Sequence, residues 1–292
     1  MNERVGFIGL GVMGAPMARH LAAKYEVTAF DIDKKKTDAI TGVKKATDIS
    51  GIARNSTIVF LSLPGSEIVR EVVLGEHGLK ANLEEGSVVI DASTTSPTVS
   101  QEIAASLNKA GISFLDAPVS GGEKAAIDGT LSVMVGGTPE NFDRCLDILK
   151  TIGSSVVLMG DVGMGGVTKL VNNLIVGITF VAVAEGFALG TKSGLDPKLL
   201  YQAIQGGWAG SKVLDVSAEA ILARNFKPGG TVDIHWKDLG YALTLARDKD
   251  VPVPATALAH EIFKAARASG RGKLAQPAIV QLWENLLNIE VG

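Results

Sequence analysis

The stretch Val5-Gly6-Phe7-Ile8-Gly9-Leu10-Gly11-Val12-Met13-Gly14-Ala15-Pro16-Met17-Ala18-Arg19-His20-Leu21, followed by Val27-Thr28-Ala29-Phe30-Asp31, decides how this chain folds. Val5 to Leu10 is an apolar run of the length of a buried strand, and the residues after Gly14 carry helical periodicity. Between them sits Gly9-x-Gly11-x-x-Gly14. This spacing predicts a tight turn at Gly9, an approach for a pyrophosphate over Gly11, and close helix-to-sheet packing at Gly14. Phosphates then meet the N-terminus of the following helix. A glycine triplet alone is common; a second strand ending in an acidic residue, Asp31, makes the dinucleotide-binding reading specific.

Asp31 also bears on which dinucleotide is taken. A carboxylate there accepts hydrogen bonds from a ribose diol and repels a 2′-phosphate, so NAD is expected over NADP. The opposing signal is Lys34-Lys35-Lys36, which would attract a phosphate. Three lysines at that point also describe the solvated first turn of a helix, and this is the reading adopted.

The 292 residues suit one large or two ordinary domains, and 46% hydrophobic content with a net charge of −3 describes a soluble globular chain. No basic stripe interleaved with aromatics offers a nucleic-acid footprint, so no nucleic-acid partner is expected. The single cysteine, Cys145, excludes an intramolecular disulfide and fits a reducing compartment, so the cytoplasm is expected. Met1-Asn2-Glu3-Arg4 leads directly into a strand that the fold needs, and no removable signal segment is expected. The apolar stretch Leu174 to Ala184 ends at Glu185 and is too short for a bilayer, so it is read as a buried helix and no membrane partner is expected.

Strand-like runs recur at Thr57 to Leu63, Ser87 to Asp91, Ile112 to Asp116, Leu131 to Val135 and Ser155 to Leu158, mostly separated by helical patterns. Such alternation predicts an α/β domain with a doubly wound, mostly parallel Rossmann-type sheet, binding ligands at the C-terminal strand ends. Beyond Gly160-Asp161-Val162-Gly163 helical periodicity takes over. The expected division is therefore a dinucleotide-binding domain over 1–162 and an all-α domain over 163–292, joined by a long helix from Met164 to about Ser193 that stops at Gly194 before Pro197. Lys227-Pro228-Gly229-Gly230 reads as a turn between helices.

Several residues carry candidate chemistry. Lys169 and Asn173 lie four apart on the long helix and lean over one face. A lysine becomes a general acid or base when desolvation or neighbouring charge lowers its pKa, whereas near a helix start it is ordinarily solvated. Asn173 alone equally describes a helix-surface or interhelical contact. Asp116-Ala117-Pro118-Val119-Ser120-Gly121-Gly122 places a hydroxyl and glycine amides after a strand, equipment for holding a carboxylate and also for a plain tight turn. Lys237, in Asp233-Ile234-His235-Trp236-Lys237-Asp238-Leu239, is either a cofactor contact or a surface lysine, and Trp208 either lines a pocket or packs. His20, His77, His235 and His260 show no metal-ligand spacing, and no Ser-nucleophile elbow, zinc pattern or Walker motif occurs, so no metal is expected.

Taken in order, the fingerprint Gly9 to Leu21, Asp91-Ala92-Ser93-Thr94-Thr95-Ser96-Pro97, Asp116 to Gly122 with Gly129-Thr130-Leu131, Gly165 to Asn173, and Lys237-Asp238-Leu239 resemble the β-hydroxyacid dehydrogenase family across essentially the whole chain. The family includes 3-hydroxyisobutyrate dehydrogenases and tartronate semialdehyde reductases. The resemblance implies that Lys169 is the catalytic lysine, that Asn173 binds substrate, and that Ser120, Gly121 and Gly122 cradle a small-molecule carboxylate. It implies cofactor contacts from the loop Gly9, Leu10, Gly11, Val12, Met13 and Gly14, from Asp31, and from Leu63, Pro64, Thr94 and Lys237. It also implies a homodimer or homotetramer. Gly206 to Asp215 and Asn225 to Gly229 look most like the tartronate semialdehyde reductase branch. Trp208, Trp236 and Gly229-Gly230-Thr231-Val232 depart from it and leave hydroxyisobutyrate, sulfolactaldehyde and hydroxymethylglutarate chemistry open. A cofactor-sensing module without turnover is the non-enzymatic alternative, disfavoured by the joint presence of Lys169 and Asn173.

Overall fold

The structure, a computed structural model, describes residues 3–227 and 229–292; Met1, Asn2 and Pro228, and the turn reading placed on Pro228, lie outside the described residues. The chain divides into two compact units, Met1–Lys169 and Leu170–Gly292.

The first unit alternates strands and helices in chain order: β1 (Arg4–Ile8), α1 (Gly14–Ala22), β2 (Glu26–Phe30), α2 (Lys34–Ala39), β3 (Lys44–Lys45), α3 (Ile49–Arg54), β4 (Ile58–Leu61), α4 (Ser66–Leu74), α5 (Leu79–Asn82), β5 (Val88–Asp91) and α6 (Pro97–Asn108). There follow β6 (Ser113–Asp116), β7 (Val119–Ser120), α7 (Gly122–Asp128), β8 (Leu131–Gly136), α8 (Pro139–Leu149), β9 (Gly153–Gly160) and the start of α9 (Met164–Lys192). The sheet runs β3-β2-β1-β4-β5-β6-β8-β7, with β9 also paired to β8. Its first six strands are parallel, and β8 meets β6 and β7 antiparallel. Strand order reverses between β1 and β4, which puts the crevice of a doubly wound sheet beside the glycine turn that follows β1.

Side-chain alternation explains the two layers of helices. Val5, Phe7, Ile58, Phe60, Val88 and Ile90 face one way and pack with Met17 and Leu21 of α1, Ala126 of α7 and Leu149 of α8. Ile8, Val59, Leu61, Val89 and Phe114 face the other way, against Ile52 of α3, Val69 of α4, Leu79 of α5 and Ile103 of α6. Phe7 and Phe60 stack with ring centroids 5.9 Å apart. Two short strands, β3 and β7, escape the sequence pattern, because two-residue pairings leave no alternation to read.

The second unit carries the rest of α9, then α10 (Pro197–Ile204), α11 (Lys212–Leu222), α12 (Val232–Asp248), α13 (Pro254–Ala266), single turns at Arg267–Arg271 and Gln276–Ile279, and α14 (Val280–Leu287). Asp196, Ser211 and Thr231 cap α10, α11 and α12 by accepting from backbone N–H groups of their first turns. Helix α9 has 29 residues, about 44 Å at a rise of 1.5 Å per residue. It ends where Gly194 takes a φ of +90°. The helix outruns the apolar stretch Leu174 to Ala184, and by length and composition it is long enough to cross a membrane. In this fold Phe180, Val181, Ala184 and Phe187 instead belong to the core of the second unit, with Leu214, Ile221, Leu239, Phe263 and Val280.

Candidate active site

The glycine turn is determined by sterics. Gly9 has a φ of +97°, and a Cβ there would lie 2.2 Å from the carbonyl oxygen of Ser62. At Gly14 a Cβ would lie 1.9 Å from the carbonyl oxygen of Gly9, so only glycine lets α1 start this close to β1. Gly11 differs: a Cβ there would meet nothing within 4 Å, so the space it faces is open. Helix α1 has no side-chain cap and no acidic residue in its first turn, which leaves its N-terminal end favourable to an anion.

Asp31, almost fully buried, closes the turn from the other side. Its Oδ2 accepts from the Leu10 N–H at 2.7 Å, and its Oδ1 from the Asp33 N–H at 2.8 Å. Lys34, Lys35 and Lys36 form the exposed first turn of α2, with the Lys36 ammonium 3.8 Å from Asp31.

Beyond β4 and β5 two loops are stitched together. The Leu63 N–H donates to Ser93 Oγ at 2.8 Å, and the Ser96 N–H donates to Ser66 Oγ at 2.9 Å. Asp91, fully buried, accepts from the Ser93 N–H at 3.0 Å and from Thr95 Oγ1 at 2.6 Å. These bonds hold half-buried Thr94 between two inward-tied neighbours and fix Leu63 and Pro64 opposite it. The sequence reading singled out Thr94 and missed Asp91 and Ser93, although an Asp followed by Ser-Thr-Thr after a strand is a recognisable side-chain-to-backbone turn signal.

At the end of β6 a second buried carboxylate does more than end a strand. Asp116 accepts from the Gly163 N–H through Oδ1 and from the Gly166 N–H through Oδ2, both at 2.7 Å. Burial pushes its carboxyl up to about 6, against the lowering effect of those amides and with a further push from Asp91. Next to it, Ser120 ends β7, paired with Ser132 of β8, and Gly121 and Gly122 follow with φ of +132° and +72°. A Cβ at Gly122 would meet nothing within 4 Å, so this turn too faces open space. Lys169, half-buried, lies on α9 three residues after Gly166.

In the second unit Asn173 is the centre of a polar cluster. Its Nδ2 donates to Asp238 Oδ2 at 2.7 Å, its Oδ1 accepts from Asn172 Nδ2 at 2.9 Å, and its carbonyl oxygen lies 3.0 Å from His235 Nε2. Asp238 also pairs with the Lys237 ammonium at 3.0 Å, and that ammonium stands 4.9 Å from the centre of the Tyr241 ring. One buried carboxylate thus connects two residues, Asn173 and Lys237, that the sequence singled out separately. Trp208 is fully exposed in the loop between α10 and α11 and does not pack; Trp236 lies under the Arg267 guanidinium, 3.8 Å from its ring centre, and stacks on His260. His20 is tied to the carbonyl oxygen of Ile127.

Comparison with known proteins identifies the family of the chain. A family model described as the NAD binding domain of 6-phosphogluconate dehydrogenase matches residues 4–160, and one described as NAD-binding of NADP-dependent 3-hydroxyisobutyrate dehydrogenase matches residues 163–283. The chain belongs to the β-hydroxyacid dehydrogenase family and is an NAD(P)-dependent oxidoreductase acting on a CH–OH group. It is 36% identical to 2-(hydroxymethyl)glutarate dehydrogenase of Eubacterium barkeri, over 99% of this chain and 97% of that one. It is also 36% identical to 2-hydroxy-3-oxopropionate reductase of Escherichia coli K12, over 98% of each. The crystal structure of 3-hydroxyisobutyrate dehydrogenase from Salmonella typhimurium superposes with a TM-score of 0.88 at 28% identity, covering 96% of this chain and 99% of that one. Psf3 in complex with NADP+ and 2-OPP gives the same score and identity, over 95% and 99%. The open space over Gly11 and the uncapped start of α1 fit the pyrophosphate of such a cofactor.

Proposed function

We propose that this enzyme interconverts a short β-hydroxy acid and its semialdehyde with NAD(H), and that its substrate is 2-hydroxy-3-oxopropionate, reduced to glycerate. The observation that carries the reading is the position of Lys169, half-buried in the same compact unit as the glycine turn and three residues beyond the amides that Asp116 holds. The similarity to the reductase of Escherichia coli supports the substrate.

The bound cofactor supplies the hydride for reduction and accepts it in the reverse direction. The glycine loop Gly9 to Gly14 would hold the pyrophosphate, Asp31 would accept from the ribose diol and disfavour a 2′-phosphate, and Leu63, Pro64, Thr94 and Lys237 would contact the cofactor. Ser120, Gly121 and Gly122 hold the substrate carboxylate through hydroxyl and backbone amides, and Asn173 orients the substrate. As the carbonyl carbon is reduced, the Lys169 ammonium gives its proton to the carbonyl oxygen, yielding the alcohol and a neutral amine; in the oxidation the neutral amine takes the hydroxyl proton back.

The functional division falls at 162/163, giving a dinucleotide-binding domain and a substrate and oligomerisation domain. Val171, Ile175 and Leu189 on α9, Leu195 in the connection after it and Leu199 on α10, all exposed, favour a homodimer or homotetramer, for which sedimentation is the test. The single buried thiol of Cys145 suits the cytoplasm.

The equal similarity to 2-(hydroxymethyl)glutarate dehydrogenase is the specific observation for a second substrate. A panel of tartronate semialdehyde, methylmalonate semialdehyde, sulfolactaldehyde and 2-formylglutarate, each with NADH and NADPH, decides. The highest kcat/KM is expected on tartronate semialdehyde with NADH; a higher value on any other member overturns the assignment.

A further inference from the structure

We propose that Asp116 is a positioning residue for catalysis, clamping the first turn of α9 to the sheet and thereby setting both the place and the proton affinity of the Lys169 amine. The proposal rests on the reading of Lys169 as the proton donor.

The clamp is two-pronged. Separate oxygens of one carboxylate take the amides of Gly163 and Gly166, each at 2.7 Å, and β6 itself is locked against β5 with Asp116 opposite Asp91. Side chains have been cleared from around it. A Cβ at Gly165 would lie 2.3 Å from the Met134 carbonyl oxygen and 2.7 Å from that of Asp116, and one at Gly136 would lie 2.4 Å from Asp116 Oδ1. Lys169 follows Gly166 by less than one turn, so any rotation of the helix start is passed to its amine. A shift of about 1 Å in a reacting group costs up to about 100-fold in rate.

The charge matters as well as the shape. Burial makes the ionised form expensive, and the carboxyl titrates near 6. Asp91 on β5 is a charged group acting on it, while α9 and β8 bring glycines close to it. Above that pH an anion sits at the positive end of the α9 dipole and favours the protonated amine. Below it, a carboxyl proton replaces one acceptor and the clamp loosens.

The test compares wild type with Asp116→Asn, which keeps the size and one acceptor and loses the charge together with the second acceptor. NADH affinity, read by fluorescence, is expected to stay unchanged. At pH 7.5 kcat is expected to fall about 10- to 100-fold with KM little altered, and the wild-type fall in kcat below pH 6 is expected to vanish in the variant. In cofactor-free protein, the rate at which an acylating reagent labels Lys169, followed by peptide mass spectrometry across pH, gives the amine's midpoint directly. That midpoint is expected to drop by about half to one pH unit in Asp116→Asn. Unchanged kcat and midpoint overturn the proposal. If the variant does not fold, wild type decides alone: log labelling rate against pH bends near pH 6 if Asp116 controls the amine, and a straight line of unit slope overturns it. A fully active Lys169→Met would sink the proton-donor reading while leaving the labelling result standing, so the two failures are distinct.

Discussion

The backbone N–H of Leu10 donates to Oδ2 of Asp31 across 2.7 Å, joining the glycine turn after β1 to the acidic residue after β2. One carboxylate therefore shapes the turn and, in the function proposed above, also reads the ribose.

These two duties separate by substitution. Asp31→Asn keeps an acceptor for Leu10 and removes the charge, so NADPH use is expected to rise relative to NADH by about tenfold or more while folding is retained. Asp31→Ala removes the acceptor too, leaves a buried N–H unpaired, and is expected to raise KM for both cofactors. Steady-state kinetics of the two variants with both cofactors check this.

Gly11 and Gly14 are expected to respond in opposite ways to the same added methyl. Gly11→Ala meets no protein atom within 4 Å, so the melting temperature should hold while NADH affinity falls about tenfold or more. Gly14→Ala puts a carbon 1.9 Å from the Gly9 carbonyl oxygen and should lose several degrees of Tm. Calorimetry beside NADH titration distinguishes them.

Asp238 is expected to matter for stability as well as for the site. Asp238→Ala removes the 2.7 Å acceptor of buried Asn173 Nδ2 and one ion pair of Lys237, a loss of about 1–3 kcal/mol. Urea unfolding measures it, and Asp238→Asn should recover part of the loss.

Cys145 is expected to be inert in the native protein. Burial pushes its thiol up to about 12, so thiol reagents at pH 8 should label it only as fast as the chain opens, with full labelling in denaturant.

The doubly wound sheet was legible because its strands are buried on both faces and read as continuous apolar runs, as at Ile58–Leu61 and Val88–Asp91. Gly9 and Gly14 were legible because spacing alone carries their steric roles, and Gly11 because the same spacing puts it where the turn faces open space. Asp91 and Asp116 were not read as anchors. Each sits at the end of a strand, where an acidic residue is equally a turn former, and only the fold brings Gly163 and Gly166 to Asp116 from 47 and 50 residues away. The same holds for Asp238, whose partner Asn173 is 65 residues distant. Trp208 had two sequence readings, lining a pocket or packing, and the fold leaves it exposed in its loop. Local patterns therefore named the groups proposed to face a ligand, while the groups that hold them in place depended on long-range contacts.

The most direct test of the account is the turnover of Lys169→Met on tartronate semialdehyde, measured beside NADH binding. The methionine keeps the length of the side chain and removes its transferable proton. NADH should bind as in wild type while kcat falls about 100- to 10,000-fold, the range for loss of a general acid. Wild-type turnover with normal NADH binding would contradict the central claim.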